Sequence, residues 1–237
     1  MRIVFLASFP AGPWQANCYL AATKRGPVDG LPADCVVVDP GMAALDDLSA
    51  AVADYALRPV AVVASHGHLD HVASAKEVCD TYGVPLYVHP DDRVLLSDPA
   101  AGLGPMGRSV LEAYYPGRVW EEPAVVLDLV DGQVILLAGL ELRVVHAPGH
   151  RPGCVLLTCE DESGPVAFTG DVVFAGSIGR TDLPGGHMPT MARTLRDVVS
   201  SLPDSTTLLP GHGPATTMAQ ERVSNPYLRP DFWEQYL

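Results

Sequence analysis

Four side chains able to hold a metal ion fall within six consecutive residues, His66-Gly67-His68-Leu69-Asp70-His71. Imidazole and carboxylate donors at this density suit zinc, iron or manganese better than calcium or magnesium, which favour oxygen ligands. A lone histidine is most often structural. Three histidines and an aspartate gathered in one turn would carry a heavy desolvation cost with nothing to satisfy them. Three later residues follow the same pattern: His150 in Ala147-Pro148-Gly149-His150, Asp171 after Phe168-Thr169-Gly170, and His212 in Leu209-Pro210-Gly211-His212-Gly213. Each has a glycine immediately before it, which opens sharp turns and close backbone approach.

Such residues converge only if rigid elements aim them. Residues 60–64 read as a buried strand running straight into Ser65-His66, and 72–82 as the helix that follows. An earlier apolar run, 35–38, stops at Asp39-Pro40-Gly41, a turn signal. Residues 43–57 carry helical spacing through Leu45, Leu48, Val52 and Leu57, and 85–88 read as a short strand. The later chain is strand-rich at 124–130, 134–137, 140–146, 154–159 and 166–168, then gives a helix at about 189–201 and a strand at 206–209. All seven candidate ligands therefore stand at strand exits, which points to one shared edge. Early alternation of strands and helices followed by hairpins implies an α/β fold with mixed sheets. Residues 98–122 differ: they are rich in Gly, Pro and aromatics and show poor periodicity.

Composition narrows the partners. The 237 residues carry 15 Lys+Arg against 28 Asp+Glu, a formal charge of −13. That balance argues against electrostatic binding of nucleic acid, which leaves a basic footprint. No apolar run approaches the roughly 18 residues of a membrane span. The N-terminal apolar stretch, 3–7, is too short for a secretory segment and breaks at Pro10, Gly12 and Pro13, so two early strands and a cytoplasmic location are expected. Five widely spaced cysteines fit neither a disulfide framework nor a CxxC zinc pattern, and read as buried reduced thiols. No repeat or linker divides the sequence, so one domain over 1–237 is expected.

The motif H-x-H-x-D-H, met by His66, His68, Asp70 and His71, together with His150, Asp171 and His212, resembles the metallo-β-lactamase superfamily across essentially the whole chain. The resemblance implies a four-layer αβ/βα sandwich with two divalent metal ions, zinc first, iron or manganese as alternatives. One metal would be held by His66, His68 and His150, the second by Asp70, His71 and His212, with Asp171 bridging. The catalytic role falls to Asp70, which would also orient a metal-activated hydroxide. Asp39 resembles the family's aspartate that steadies the ligand loop, with a simple turn cap as the competing reading.

Within the superfamily, the segment 177–186, Ser-Ile-Gly-Arg-Thr-Asp-Leu-Pro-Gly-Gly, and the tail around Asn225-Pro226-Tyr227-Leu228 are similar to the short bacterial branch of the glyoxalase II group. That implies a hydrolase acting on a thioester of a low-molecular-weight thiol, a small-molecule substrate, with oligomeric state open. Only 25 residues follow His212, so the C-terminal helical domain of the fuller enzymes is not expected. The excess length between His68 and His150 falls in 98–122, expected to form a lid placing Tyr114, Tyr115 or Trp120 at the substrate, with a surface excursion as the alternative. Arg180 would bind a substrate carboxylate or, equally, pair with Asp182. A mononuclear-iron persulfide dioxygenase, which shares the Gly179–Asp182 type of loop, is the main alternative. A lactonase and a non-catalytic metal-binding protein rank below it.

Overall fold

Strands written as continuous apolar runs need cover on both faces. The computed structural model, which describes residues 2–3 and 5–236, supplies that cover twice. The first sheet takes β1 (Phe5–Ala11), β2 (Ala16–Ala22), β3 (Ala33–Val38), β4 (Leu57–Val63), β5 (Leu86–Val88) and β6 (Val126–Asp128), in that order. Its first three strands pair antiparallel, and β3 to β6 run parallel. The second sheet is built from β7 (Val134–Leu137), β8 (Leu140–His146), β9 (Val155–Glu160), β10 (Pro165–Gly170), β13 (Thr207–Pro210) and β14 (Thr216–Thr217), ordered β14-β13-β10-β9-β8-β7. Only β10 and β13 are parallel there. A small hairpin, β11 (Val173–Phe174) and β12 (Ser177–Ile178), stands between them in sequence.

Side chains alternate across a strand, and the cores follow that period. Along β3, Val36 and Val38 join the core between the sheets, with Val63, Leu142, Val144, Leu157 and Phe168. Cys35 and Val37 turn the other way, to Leu48 of α1 (Leu45–Asp54) and to Val78 and Cys79 of α3 (Ala75–Tyr82). On the far side, Leu156 and Ala167 of the second sheet pack on Met191 and Leu195 of α5 (Met188–Asp197) and Met218 of α6 (Met218–Ser224). The layers are thus helix, sheet, sheet, helix, the four-layer arrangement that the family resemblance implies. A last short helix, α7 (Pro230–Glu234), closes the described chain. All five cysteines are free and buried.

Three elements depart from expectation. The helix expected at 43–57 ends at Asp54, and Leu57, counted in its spacing, instead opens β4. The helix expected at 72–82 is two pieces, α2 (Leu69–Val72) and α3, because Ser74 turns aside: its N–H donates to the Pro40 carbonyl at 3.1 Å and its hydroxyl oxygen accepts from the Ala44 N–H. The segment 98–122, expected to be aperiodic, contains two 3-10 turns and a helix, α4 (Gly107–Tyr114). Its apolar stripe is short: Leu111 and Tyr115, four apart, pack with Trp14, Leu103 and Trp120 over Met42, Leu69 and Ala73. Glycines at 104 and 107 mask that stripe in the sequence, and Gly107 is required because a Cβ there would meet the Ala100 carbonyl oxygen at 2.5 Å.

Candidate metal centre

The edge where strands of both sheets end collects the donors. His66 follows β4; His68 ends the turn before α2, and Asp70 and His71 lie in α2 itself; His150 lies between β8 and β9; Asp171 and His212 follow β10 and β13. The Val155 N–H donates to the Ser65 carbonyl at 2.9 Å, locking the two sheets together beside the first donors. The glycine before each later donor differs in its reason. Gly170 has φ +46°, and a Cβ on it would run into the Ser65 hydroxyl. Gly211 must lack a Cβ because its space is taken by the His71 ring and the Asp171 carboxylate.

The donor atoms fall into groups whose members lie within 4.8 Å of one another: His66, His68 and His150; His66, His71 and Asp171; and Asp70, His71 and His212. Asp171 stands between the outer two, with Oδ1 3.3 Å from His71 Nε2 and Oδ2 3.6 Å from His150 Nε2 and 3.7 Å from His212 Nε2. Asp70 Oδ2 lies 3.1 Å from His212 Nε2.

Partners behind the rings fix which nitrogens are free. His150 Nδ1 donates to the Arg180 carbonyl at 2.6 Å, leaving Nε2 as a lone pair. His71 Nδ1 donates to Asp39 Oδ2 at 3.0 Å. His66 Nδ1 lies 3.1 Å from Ser65 Oγ, which itself donates to Asp39 Oδ2 at 2.7 Å. Asp39, buried at the end of β3 with φ +52°, therefore braces both His66 and His71 and also accepts from the Ser65 N–H.

These residues fit a bound metal on direct grounds. His66 Nε2, His71 Nε2 and Asp171 Oδ1 are buried with no hydrogen-bond partner. Buried orphans of this kind are costly. His68 Nδ1 and His150 Nε2 face each other at 2.8 Å, where at most one carries a proton, while cations would engage both lone pairs.

Electrostatics divides the centre. Burial, followed by the neighbouring imidazoles, drives His66 well below the ordinary histidine range, and burial with His150 pushes His68 down to about 3. His150 is lowered too, chiefly by burial. Burial works against charge on His71 as well, but Asp171 and Asp70 outweigh it and raise its pKa well above the usual value. His212 is raised against its own burial by the hydrogen bond to Asp70 and by Asp171. Asp70 and Asp171 are lowered despite their burial, with the His71 charge the largest favourable influence on each.

The donors form the floor of a cleft of about 360 Å³, with His68, Asp70, His150, Asp171 and His212 below and Trp14, Leu103, Phe174, Leu183 and Arg180 around it. Arg180 reaches the cleft, but its guanidinium forks onto Asp182 at 2.6 and 2.8 Å. Tyr114 and Tyr115, expected at the substrate, do not line the cleft, and neither does Trp120. The stripe of α4 turns Tyr115 inward against Trp120 and Arg118, and the Tyr114 hydroxyl accepts from Trp14 Nε1 at 3.3 Å. The insert reaches the cleft through Leu103, and through its hold on Trp14.

Sequence reasoning missed Ser65, Trp14, Asp92 and Arg151. Asp92 had a visible signal, since His89-Pro90-Asp91-Asp92 follows β5 in the same strand-exit position as the donors. Of the remaining histidines, His187 contacts Thr190 near the surface. His89 and His146 approach Asp91 closely enough to suggest a further group. Their rings, however, stack with only 3° between planes, so their in-plane lone pairs run parallel and do not meet on one ion.

A family model described as the Metallo-beta-lactamase superfamily matches residues 11–212. An uncharacterized protein of Mycobacterium tuberculosis is 41% identical over 229 residues, covering 95% of this chain and 98% of that one. The hydroxyacylglutathione hydrolase GloC of Haemophilus influenzae is 30% identical over 220 residues, covering 92% and 95%. Among solved structures, the BLEG-1 B3 metallo-beta-lactamase matches with a TM-score of 0.78 and 32% identity over 94% of this chain and 99% of that one. The protein TTHA1623 in a di-iron-bound form matches with a TM-score of 0.74 and 32% identity over 95% and 100%.

Proposed function

The chain belongs to the metallo-beta-lactamase superfamily, and from that premise we propose that it is a binuclear metal-dependent hydrolase of thioesters of a low-molecular-weight thiol. The observation that carries this reading is the two donor groups, His66–His68–His150 and Asp70–His71–His212, with Asp171 standing between them at the floor of an apolar-walled cleft. The likeness to a hydroxyacylglutathione hydrolase over nearly the full length of both chains supports the choice of substrate class. A neighbour bound to two irons supports two ions and leaves zinc, iron and manganese all open.

His66, His68 and His150 would hold one ion and Asp70, His71 and His212 the other, with Asp171 shared. When bound, the two cations lower the pKa of water to near neutrality and polarise the substrate carbonyl. The chain's own contribution is placement. Asp70, at the cleft floor, orients the attacking water, and Asp39 keeps the Nε2 lone pairs of His66 and His71 turned inward. Trp14, Leu103, Phe174 and Leu183 exclude water around the acyl or thiol chain. A thiolate leaves readily, so no general acid has to be found among the cleft residues. Arg180, already paired with Asp182, contributes little to binding a substrate carboxylate.

Metal analysis and three assays test the reading: thioester cleavage, oxygen uptake with a persulfide, and β-lactam opening. Two metals per chain with thioester cleavage as the dominant activity is expected. One iron per chain with oxygen consumption would replace the reading with a persulfide dioxygenase, and dominant lactam opening would replace the substrate class.

A further inference from the structure

The most heavily bonded buried side chain near the centre is not a donor. Asp92, fully buried in the turn after β5, accepts through Oδ2 from the Gly67 N–H at 2.9 Å, the peptide between His66 and His68. Through Oδ1 it accepts from the Gly153 N–H at 3.2 Å and from Arg151 Nε and Nη2 at 3.2 and 3.0 Å, in the loop that carries His150. Arg151 is buried as well, and its other nitrogen donates to the Pro184 carbonyl. Both glycines are tailored to this contact. A Cβ on Gly67 would meet the Asp92 carbonyl oxygen at 2.7 Å, and one on Gly153 would meet Asp92 Cγ at 2.6 Å.

We propose that Asp92 is a positioning residue for one metal site only, setting the separation of the His66–His68 and His150 loops through Gly67, Gly153 and Arg151. Its bonds end on the Gly67 peptide, at the His66–His68 end of that turn, and on Arg151 and Gly153, and none is made to Asp70, His71 or the segments of Asp171 and His212. Asp39 makes the opposite arrangement, since it braces His66 and His71 and so serves both sites. The inference rests on the reading that both donor groups take metal.

An Asp92→Asn side chain keeps the shape but turns an amide NH2 toward one of the donors it now accepts from. The test is zinc titration of the metal-stripped full chain against a chromophoric chelator. Asp92→Asn is expected to weaken one of two binding steps about ten-fold or more, the scale of losses when partners behind ligands are changed, and to leave the other within about two-fold. Asp39→Asn is expected to weaken both. In a His212→Ala background the Asp92→Asn loss persists; in a His150→Ala background it vanishes, because the site it serves is already lost. Should the lone substitution unfold the chain by stranding the Arg151 charge, Asp92→Asn combined with Arg151→Met removes that charge and is expected to show the same selective loss. Equal weakening of both steps, no weakening, or full additivity over His150→Ala overturns the inference with the binuclear reading intact. A wild-type chain without two binding steps overturns both.

Discussion

The two halves of the centre are built on opposite electrostatic plans. The His66, His68 and His150 half is all imidazole, and burial plus mutual repulsion keeps its rings neutral. The Asp70, His71 and His212 half mixes imidazoles with carboxylates that raise His71 and His212 while being lowered themselves. The first half is therefore ready to receive a cation without losing protons, and the price is paid by folding, which must bury three neutral rings. The second half is already charge-compensated without an ion, so a cation entering it has to displace a proton from imidazolium. The difference teaches that one cluster can stay assembled before loading by two means: a structural clamp on one side and internal ion pairs on the other.

Removing Asp171, which stands between the two halves, should have the largest effect. Asp171→Ala is expected to lower kcat/KM by about 10³-fold or more, an amount equal to about 4 kcal/mol of transition-state stabilisation, and metal analysis should show fewer than two ions retained. Next, the contribution of the cleft wall can be separated from that of the donors. Trp14→Ala should raise KM about ten-fold, roughly the loss of 1.4 kcal/mol of binding, with metal content unchanged; an unaltered KM would remove Trp14 from the substrate wall.

The pH response of the metal-free chain sharpens the contrast. An unfolded imidazole protonates near pH 6.5, whereas folded His68 stays neutral down to about pH 3. Below 6.5 the unfolded state then binds more protons, so this half destabilises the fold progressively as pH falls from 6.5 toward 3. His71 has the reverse sign: its raised pKa gives stability that is full below 6.5 and is lost as pH rises through its folded value. Thermal melts of the metal-free His68→Gln variant should thus lose less stability on acidification than the wild type, and those of His71→Gln less on alkalinisation. Smallest of all should be the response to thiol reagents. With Cys35, Cys79 and Cys159 pushed up to about 12 by burial, and Cys18 and Cys154 likewise raised well above the usual thiol value by burial, Ellman's reagent should label the native chain only at the rate of unfolding.

The layered α/β fold and the convergence of the seven donors were legible because both are written locally. A buried strand is a run of apolar residues, and each donor sits at its exit behind a turn residue, as in Val62-Val63-Ala64-Ser65-His66. The clamp was not legible, since Asp92 and Arg151 are 59 positions apart and their pairing depends on how β5 and β8 dock. The insert misled for another reason. Its aromatic residues look poised for a ligand, but Tyr115 and Trp120 instead complete a small core with Leu69 and Ala73. Whether an aromatic faces a cleft or a neighbour is set by the tertiary packing of α4, which no spacing within 98–122 records.

The order of strands has a consequence for assembly. Each sheet is one continuous stretch of chain, 5–128 for the first and 134–217 for the second. His66, His68, Asp70 and His71 come from the first stretch, and His150, Asp171 and His212 from the second. Neither stretch owns a full set, so an ion seated here is a cross-link between two half-chains, joining residues as much as 142 positions apart. Such a link stabilises the docked state by about 2.7 kcal/mol per site when free metal stands 100-fold above its dissociation constant. Two separately expressed half-chains would accordingly find each other more tightly in the presence of metal, and a chelator would act on them as a solvent for the seam.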